Sequence, residues 1–304
     1  MRHVVLVANP SASGFTGGRF RAVMAALSER FSVTAAWPTS PSEARREAVG
    51  AAQSGAYAVI AMGGDGVAHH VANGLVHTST ALGLVPAGTT NVFAKILDIP
   101  AKPAAAAKAI GEYEPKPVTL AHVVAETVKG VSSAYALFAL GVGFDADVVE
   151  AAERRPESKQ SFGAAHFAST AVGMLVRRYR NMPANLRVEC VGTRTDAVAV
   201  MVQIHQVYTY FGRIPLRLGP APRRGLVACA IESVGAATGA SIVARAVVSR
   251  SLSNAPGCTV FPELDKMLID ADPPSPLQAD GELLGYGTAF EITPASGALL
   301  VLSP

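Results

Sequence analysis

The chain has 304 residues, half of them hydrophobic and 16% charged, a composition that excludes disorder and leaves room for two domains. Its formal net charge of +3 comes without a long lysine or arginine run, which argues against nucleic acid as a partner. Cys190, Cys229 and Cys258 are odd in number and far apart, so neither a disulfide framework nor a zinc site is expected, and a reducing cytoplasm fits.

The opening "MRHVVLVANP" holds an apolar run of about five residues, too short for a signal peptide and read as a first strand. No segment approaches the roughly 20 apolar residues of a membrane span. Strand-like runs follow at "FSVTAAW" (31–37), "YAVIAMG" (57–63) and "ALGLVPAG" (81–88). Helix-like stretches separate or follow them: "GGRFRAVMAALSER", "SEARREAVGAAQ", "VAHHVANGLVH" and "NVFAKILDI". Strand–helix alternation predicts a parallel sheet covered on both faces, with ligands beyond the carboxyl ends of the strands. Pro115 and Pro117 mark a boundary near 112–121, giving domains 1–120 and 121–304, with the last strand free to return to the first. The second half is read as an antiparallel β-rich domain with helices at 161–182 and 236–251.

Four loops could carry chemistry. "NPSASG" (Asn9, Pro10, Ser11, Ala12, Ser13, Gly14) is either an anion nest or an ordinary turn with Ser as helix cap. "GGDG" (Gly63, Gly64, Asp65, Gly66) lets the backbone approach phosphate oxygens, and a carboxylate among phosphates calls for Mg²⁺ or a hydroxyl between them. The competing reading is a tight turn whose Asp caps the next helix. "VPAGTTN", with Gly88, Thr89 and Asn91, offers a similar turn on the neighbouring strand, so both loops would face one crevice. "ADGELLG", far along the chain, sets Asp280 and Glu282 around a glycine and is explained equally by a β-turn.

In order, "NPSASG", "GGDGVAHHVANGL", "GLVPAGTTNVFAKILDIP", "GVGFDADVV" and "LQADGELLG" resemble the diacylglycerol kinase catalytic family, nearest to its soluble bacterial lipid kinases, with sphingosine and ceramide kinases as relatives. The resemblance implies an α/β amino-terminal nucleotide domain, a β-rich carboxyl-terminal domain and an active site between them. It implies transfer of the ATP γ-phosphate to a lipid hydroxyl, diacylglycerol by default, with Mg²⁺. Asn9 to Ser13, Thr39, the turn from Gly63 through Val67 and Ala68 to His69, Gly88, Thr89 and Asn91 match its nucleotide-binding positions. Asp65 matches the acid of the catalytic Mg²⁺, Glu282 the general base, and Asp147, with Asp145 as competitor, an acid at the lipid headgroup. The work is thereby placed in the cytoplasm at the membrane surface, and a homodimer is compatible with it.

The chain also departs from the family. Val67 and His70 stand where a hydroxyl and an acid are usual, Val92 stands where many members carry Asp, and His205, Tyr208 and Tyr210 flank a loop that commonly begins with asparagine. His70 is read as a ribose contact or a surface residue. His69 and His70 are not expected to form a metal site, because adjacent helical residues diverge. Arg224 replaces an Asp that in several members holds a structural Mg²⁺; an arginine cannot ligate a metal, so that site is expected to be absent. Two other readings compete: a kinase for a water-soluble acceptor, as in NAD kinases, and a nucleotide-binding protein with little catalysis.

Overall fold

A computed structural model describes residues 1–153, 169–175, 177–212 and 214–304. The chain separates into two compact units, Met1–Thr119 with Ser296–Pro304, and Leu120–Ala295.

The first unit is the alternating part of the sequence: β1 (Arg2–Ala8), α1 (Gly17–Ser28), β2 (Phe31–Ala36), α2 (Pro41–Gln53), β3 (Ala58–Gly63), α3 (Asp65–Leu75), β4 (Ala81–Pro86), α4 (Val92–Ile96) and α5 (Pro103–Ile110). The strands run parallel in the order β2-β1-β3-β4, and Val301 near the carboxyl terminus pairs parallel with Leu82. Every residue of β3 and β4 is buried, as strands covered on both faces must be. Val4, Leu6, Ile60 and Met62 pack with Val23, Leu27 and Ile110 into one core. The helices start where the sequence supplies caps. Thr16 accepts the Arg19 amide at 3.2 Å, and Ser40 accepts that of Glu43 with Pro41 in the first turn.

β5 (Glu114–Thr127) carries the chain across the unit boundary. The second unit continues with β6 (Gly130–Ala136), β7 (Ala139–Gly143), α6 (Phe144–Glu153), β8 (Leu186–Cys190), β9 (Thr193–Ala197), β10 (Ala199–Gln203), β11 (Thr209–Phe211) and β12 (Ile214–Leu216). Then come β13 (Leu226–Ile231), α7 (Ala236–Ala244), a π-helical turn at Arg245–Ser249, β14 (Cys258–Leu264), β15 (Met267–Ala279) and β16 (Glu282–Ser303), which from Ser296 onward belongs to the first unit. The second unit's sheet is antiparallel, in the order β14-β13-β10-β7-β15-β16, over a core that includes Leu140, Val142, Val200, Val202, Ile269 and Ile292.

Several sequence expectations need correction. The first helix is capped by Thr16, not by a serine of the "NPSASG" loop. "NVFAKILDI" forms only the five residues of α4, and α5 and α6 were not foreseen. The helix expected at 236–251 ends at Ala244 and gives way to the π-helical turn, closed by Arg250 in the left-handed region. Of the helix expected at 161–182, residues 161–168 and 176 lie outside the described residues; helix is described at 169–175 and 177, and the chain has left it by 178.

Candidate functional site

The βα loops of the first unit gather at the carboxyl ends of its parallel strands. Asn9 closes the first by accepting the Ser11 amide on its side-chain oxygen at 2.9 Å, leaving Pro10, Ser11 and Ser13 exposed. Ser13 and Thr89 hydroxyls lie 3.0 Å apart, and the Gly14 amide donates to the Ala87 carbonyl at 2.8 Å, so the loops after β1 and β4 are stitched together. The Gly63 carbonyl accepts the amides of Ala87 and Gly88 at 2.8 and 3.1 Å, stitching β3's loop to the same place. Asn91, at φ 50°, accepts the Gly88 amide at 3.0 Å and donates to its carbonyl at 2.7 Å. The expectation that neighbouring strands would present both glycine loops together is met. Gly64, before α3, brings no side chain to cap the first amides of that helix.

Asp65 opens α3 but serves α4. Its carboxylate accepts the amides of Val92 at 2.9 Å and Phe93 at 3.1 Å, so the helix it caps is the one after the next strand. Lys95 follows in the same short helix; burial lowers its pKa and the Asp65 charge opposes that. A small recess beside these groups is lined by Gly63, Gly64, Asp65, Pro86, Asn91 and Phe93.

Thr39 is committed elsewhere. Its amide and hydroxyl both donate to Glu43 at 2.7 Å, which holds the Glu43 carboxyl below its usual range. Trp37, two residues earlier, packs on Phe20 and meets Phe15 edge-on, which ties the loop after β2 to the one after β1. Val67 and Ala68 lie in the first turn of α3, and His69 is buried. The His69 and His70 rings meet edge-on at 5.1 Å, closer than divergence along a helix implies. Among the described residues no three His, Cys, Asp or Glu side chains cluster as a metal site would need.

In the second unit Asp280 and Gly281, both at positive φ, form the two-residue turn between β15 and β16. The Asp280 carboxylate is buried and accepts three consecutive amides, Leu137 at 2.7 Å, Phe138 at 2.9 Å and Ala139 at 3.2 Å. Gln278 accepts the Gly281 amide at 2.9 Å and donates to Asp145 at 2.5 Å, and the Tyr208 hydroxyl also donates to Asp145. Glu282, directly after the turn, is half-buried on a hairpin fixed from two sides. Burial pushes the Asp145 carboxyl up, against the two hydrogen bonds, which favour its charged form.

Asp147 is 1% exposed; Tyr179 donates to its carboxylate and the Arg178 guanidinium lies 3.1 Å away. As the helix stands, the carboxylate expected at a headgroup faces protein partners. The backbone amides of Arg223, Arg224 and Gly225 all donate to Glu263, which lowers the Glu263 pKa. Sequence reasoning missed Lys95, Gln278, the amide cradle around Asp280, and Glu263. Asp-Gly is a hairpin signal, but nothing local announces a cradle formed 141 to 143 positions away.

Fold and loops together define a parallel α/β domain with glycine-rich βα turns, joined to an antiparallel β-rich domain. Residues 3–123 match the family model described as diacylglycerol kinase catalytic domain. An uncharacterized protein of Synechocystis is 31% identical over 144 residues, 47% of this chain and 31% of that protein. A protein of Xanthomonas oryzae named "Probable lipid kinase YegS-like" is 39% identical over 90 residues, 28% of this chain and 29% of that one. The alignments thus span less than a third of those relatives' length. A Bacillus anthracis structure described as a diacylglycerol kinase superposes with a TM-score of 0.72 at 18% identity, covering 100% of this chain and 97% of the other. Another structure from that organism gives 0.79 at 20%, covering 100% and 95%, and at such identity the likeness concerns the fold. Glu282 and Asp145 lie outside the family match.

Proposed function

We propose that this protein is an ATP- and Mg²⁺-dependent kinase that phosphorylates the hydroxyl of a membrane lipid, with diacylglycerol as the default acceptor. The observation that carries the reading is the backbone cradle of the first unit. There Gly63–Gly64, Gly88–Thr89 and Ser13–Gly14 converge at strand ends beside the uncapped start of α3. Such a cradle suits phosphate oxygens, because glycine exposes amides without side-chain bulk. Mg²⁺ fits this place through one carboxylate, since it is commonly held by one or two acids plus phosphates and water. When bound, the ion would supply charge neutralisation on the transferring phosphate.

Glu282 is the proton acceptor in this proposal. Its position after a clamped turn restricts its backbone, which is what a general base needs. Asp147 and Asp145 remain the proposed headgroup acids, and the setting is the cytoplasmic face of a membrane. Among the described residues no helix is long and apolar enough to cross a membrane. Incubation with γ-labelled ATP and a total lipid extract tests the reading. Label should appear in a phospholipid and vanish without divalent metal. Tight nucleotide binding with no transfer to any lipid, or transfer to NAD instead, would overturn it.

A further inference from the structure

We propose that the π-helical turn at Arg245–Ser249, with the neighbouring β12 edge, is a docking surface for the headgroups and upper acyl region of an anionic bilayer. The inference rests on the lipid-kinase reading for its purpose but on separate residues for its evidence.

Charge is the first argument. Between residues 197 and 262 the sequence has six arginines, at 213, 217, 223, 224, 245 and 250, and a single acid, Glu232. Glu232 is engaged, accepting the Thr259 hydroxyl at 2.5 Å. Arg223 and Arg224 are exposed in a loop whose amides Glu263 holds in place.

Apolar exposure is the second. Val248 is 79% exposed and Val247 59%, high among the large apolar side chains of the molecule, and Ile214 on β12 is 37% exposed. Val247 and Val248 lie in one turn between Arg245 and Arg250. β12 lies against that turn. The backbone at Arg217 fixes the arrangement, donating to the Arg250 carbonyl at 3.0 Å and accepting the Leu252 amide at 2.9 Å. A pair of adjacent branched apolar residues in water is unfavourable. Flanked by arginines, it matches an interface where apolar side chains enter the acyl boundary and guanidinium groups meet phosphates. A protein partner would need a wider apolar face than these few side chains offer.

Co-sedimentation with vesicles tests this, using phosphatidylcholine alone and phosphatidylcholine with 30 mol% phosphatidylglycerol as an order-of-magnitude choice of about one anionic lipid in three. Wild type should bind the anionic vesicles and release them at high salt. Val247→Asp with Val248→Asp should weaken binding at least tenfold, and Arg250→Glu about fivefold or more. Val248→Ser, a milder change, guards against misfolding, and the melting temperature of each variant should match wild type. Phosphate transfer to a short-chain, monomeric diacylglycerol should be unchanged in all three. Equal vesicle binding by wild type and the double variant overturns the inference, as does a changed oligomeric state in that variant, which would make the surface a self-contact. Loss of vesicle binding in variants of a protein that phosphorylates no lipid would uphold the docking surface and sink the kinase reading.

Discussion

A methyl group placed on Gly88 would lie 2.5 Å from the α-carbon of Gly64, so the loops after β3 and β4 touch backbone to backbone. Carbon atoms do not approach that closely without one loop moving. The contact is where the two glycine-rich motifs of the sequence become one structure.

Gly88→Ala should therefore force these loops apart. We expect a stability loss of about 1–3 kcal/mol, the usual scale for overpacking, together with a larger fall in nucleotide affinity. Chemical denaturation and nucleotide titration of the same preparation measure both. Unchanged affinity would mean that the cradle is not the nucleotide site.

The hairpin of the second unit separates two acids that the sequence offers as a pair. Asp280 holds three amides and belongs to the fold; Glu282 is the proposed base. Asp280→Ala would strip the acceptor from buried donors and should cost about 3 kcal/mol or more. Glu282→Gln should melt like wild type while turnover falls by about 10²-fold or more. A Glu282→Gln enzyme of normal turnover would remove Glu282 from its role.

How much of this was legible beforehand depended on distance along the chain. The β3 and β4 runs, Val59-Ile60-Ala61 and Leu82-Gly83-Leu84, announce buried parallel strands because burial on both faces demands apolar residues throughout. The glycines of the turns were equally readable. Partners were not. That Asp65 would cap α4 across an intervening strand, or that Tyr208 would donate to Asp145, follows from tertiary packing and has no local pattern. α6 was missed because Gly143-Phe144-Asp145 reads as the end of an apolar strand, although its two early acids favour a helix start.

Asp65 caps α4 and is the proposed Mg²⁺ ligand, and the two roles can be pulled apart. Asp65→Asn keeps one carbonyl oxygen for the Val92 and Phe93 amides but turns the other position into a donor. Stability should fall by about 1 kcal/mol, the worth of a single hydrogen bond. Mg²⁺-supported turnover should fall much further, with the metal concentration for half-maximal rate shifted upward. A variant with wild-type turnover and metal dependence would leave Asp65 as a helix cap only.

Asp145 supplies a pH test with a definite sign. Burial raises its folded-state pKa above the unfolded value of about 3.9, so the folded state binds the proton more tightly. Its stabilising contribution is full below that unfolded value and is lost as pH rises through the raised folded pKa. At neutral pH the ionised carboxylate is thus a net burden, held by Tyr208 and Gln278. Asp145→Asn keeps an oxygen for those two donors and removes the ionisation. The variant should match or exceed wild-type stability at pH 7 and fall below it, relatively, near pH 3. Denaturation midpoints across that range give the comparison. Parallel pH profiles for both proteins would show that the carboxyl does not carry the shift. A drop in lipid phosphorylation at unchanged stability would instead give Asp145, rather than the ion-paired Asp147, the acceptor-side role.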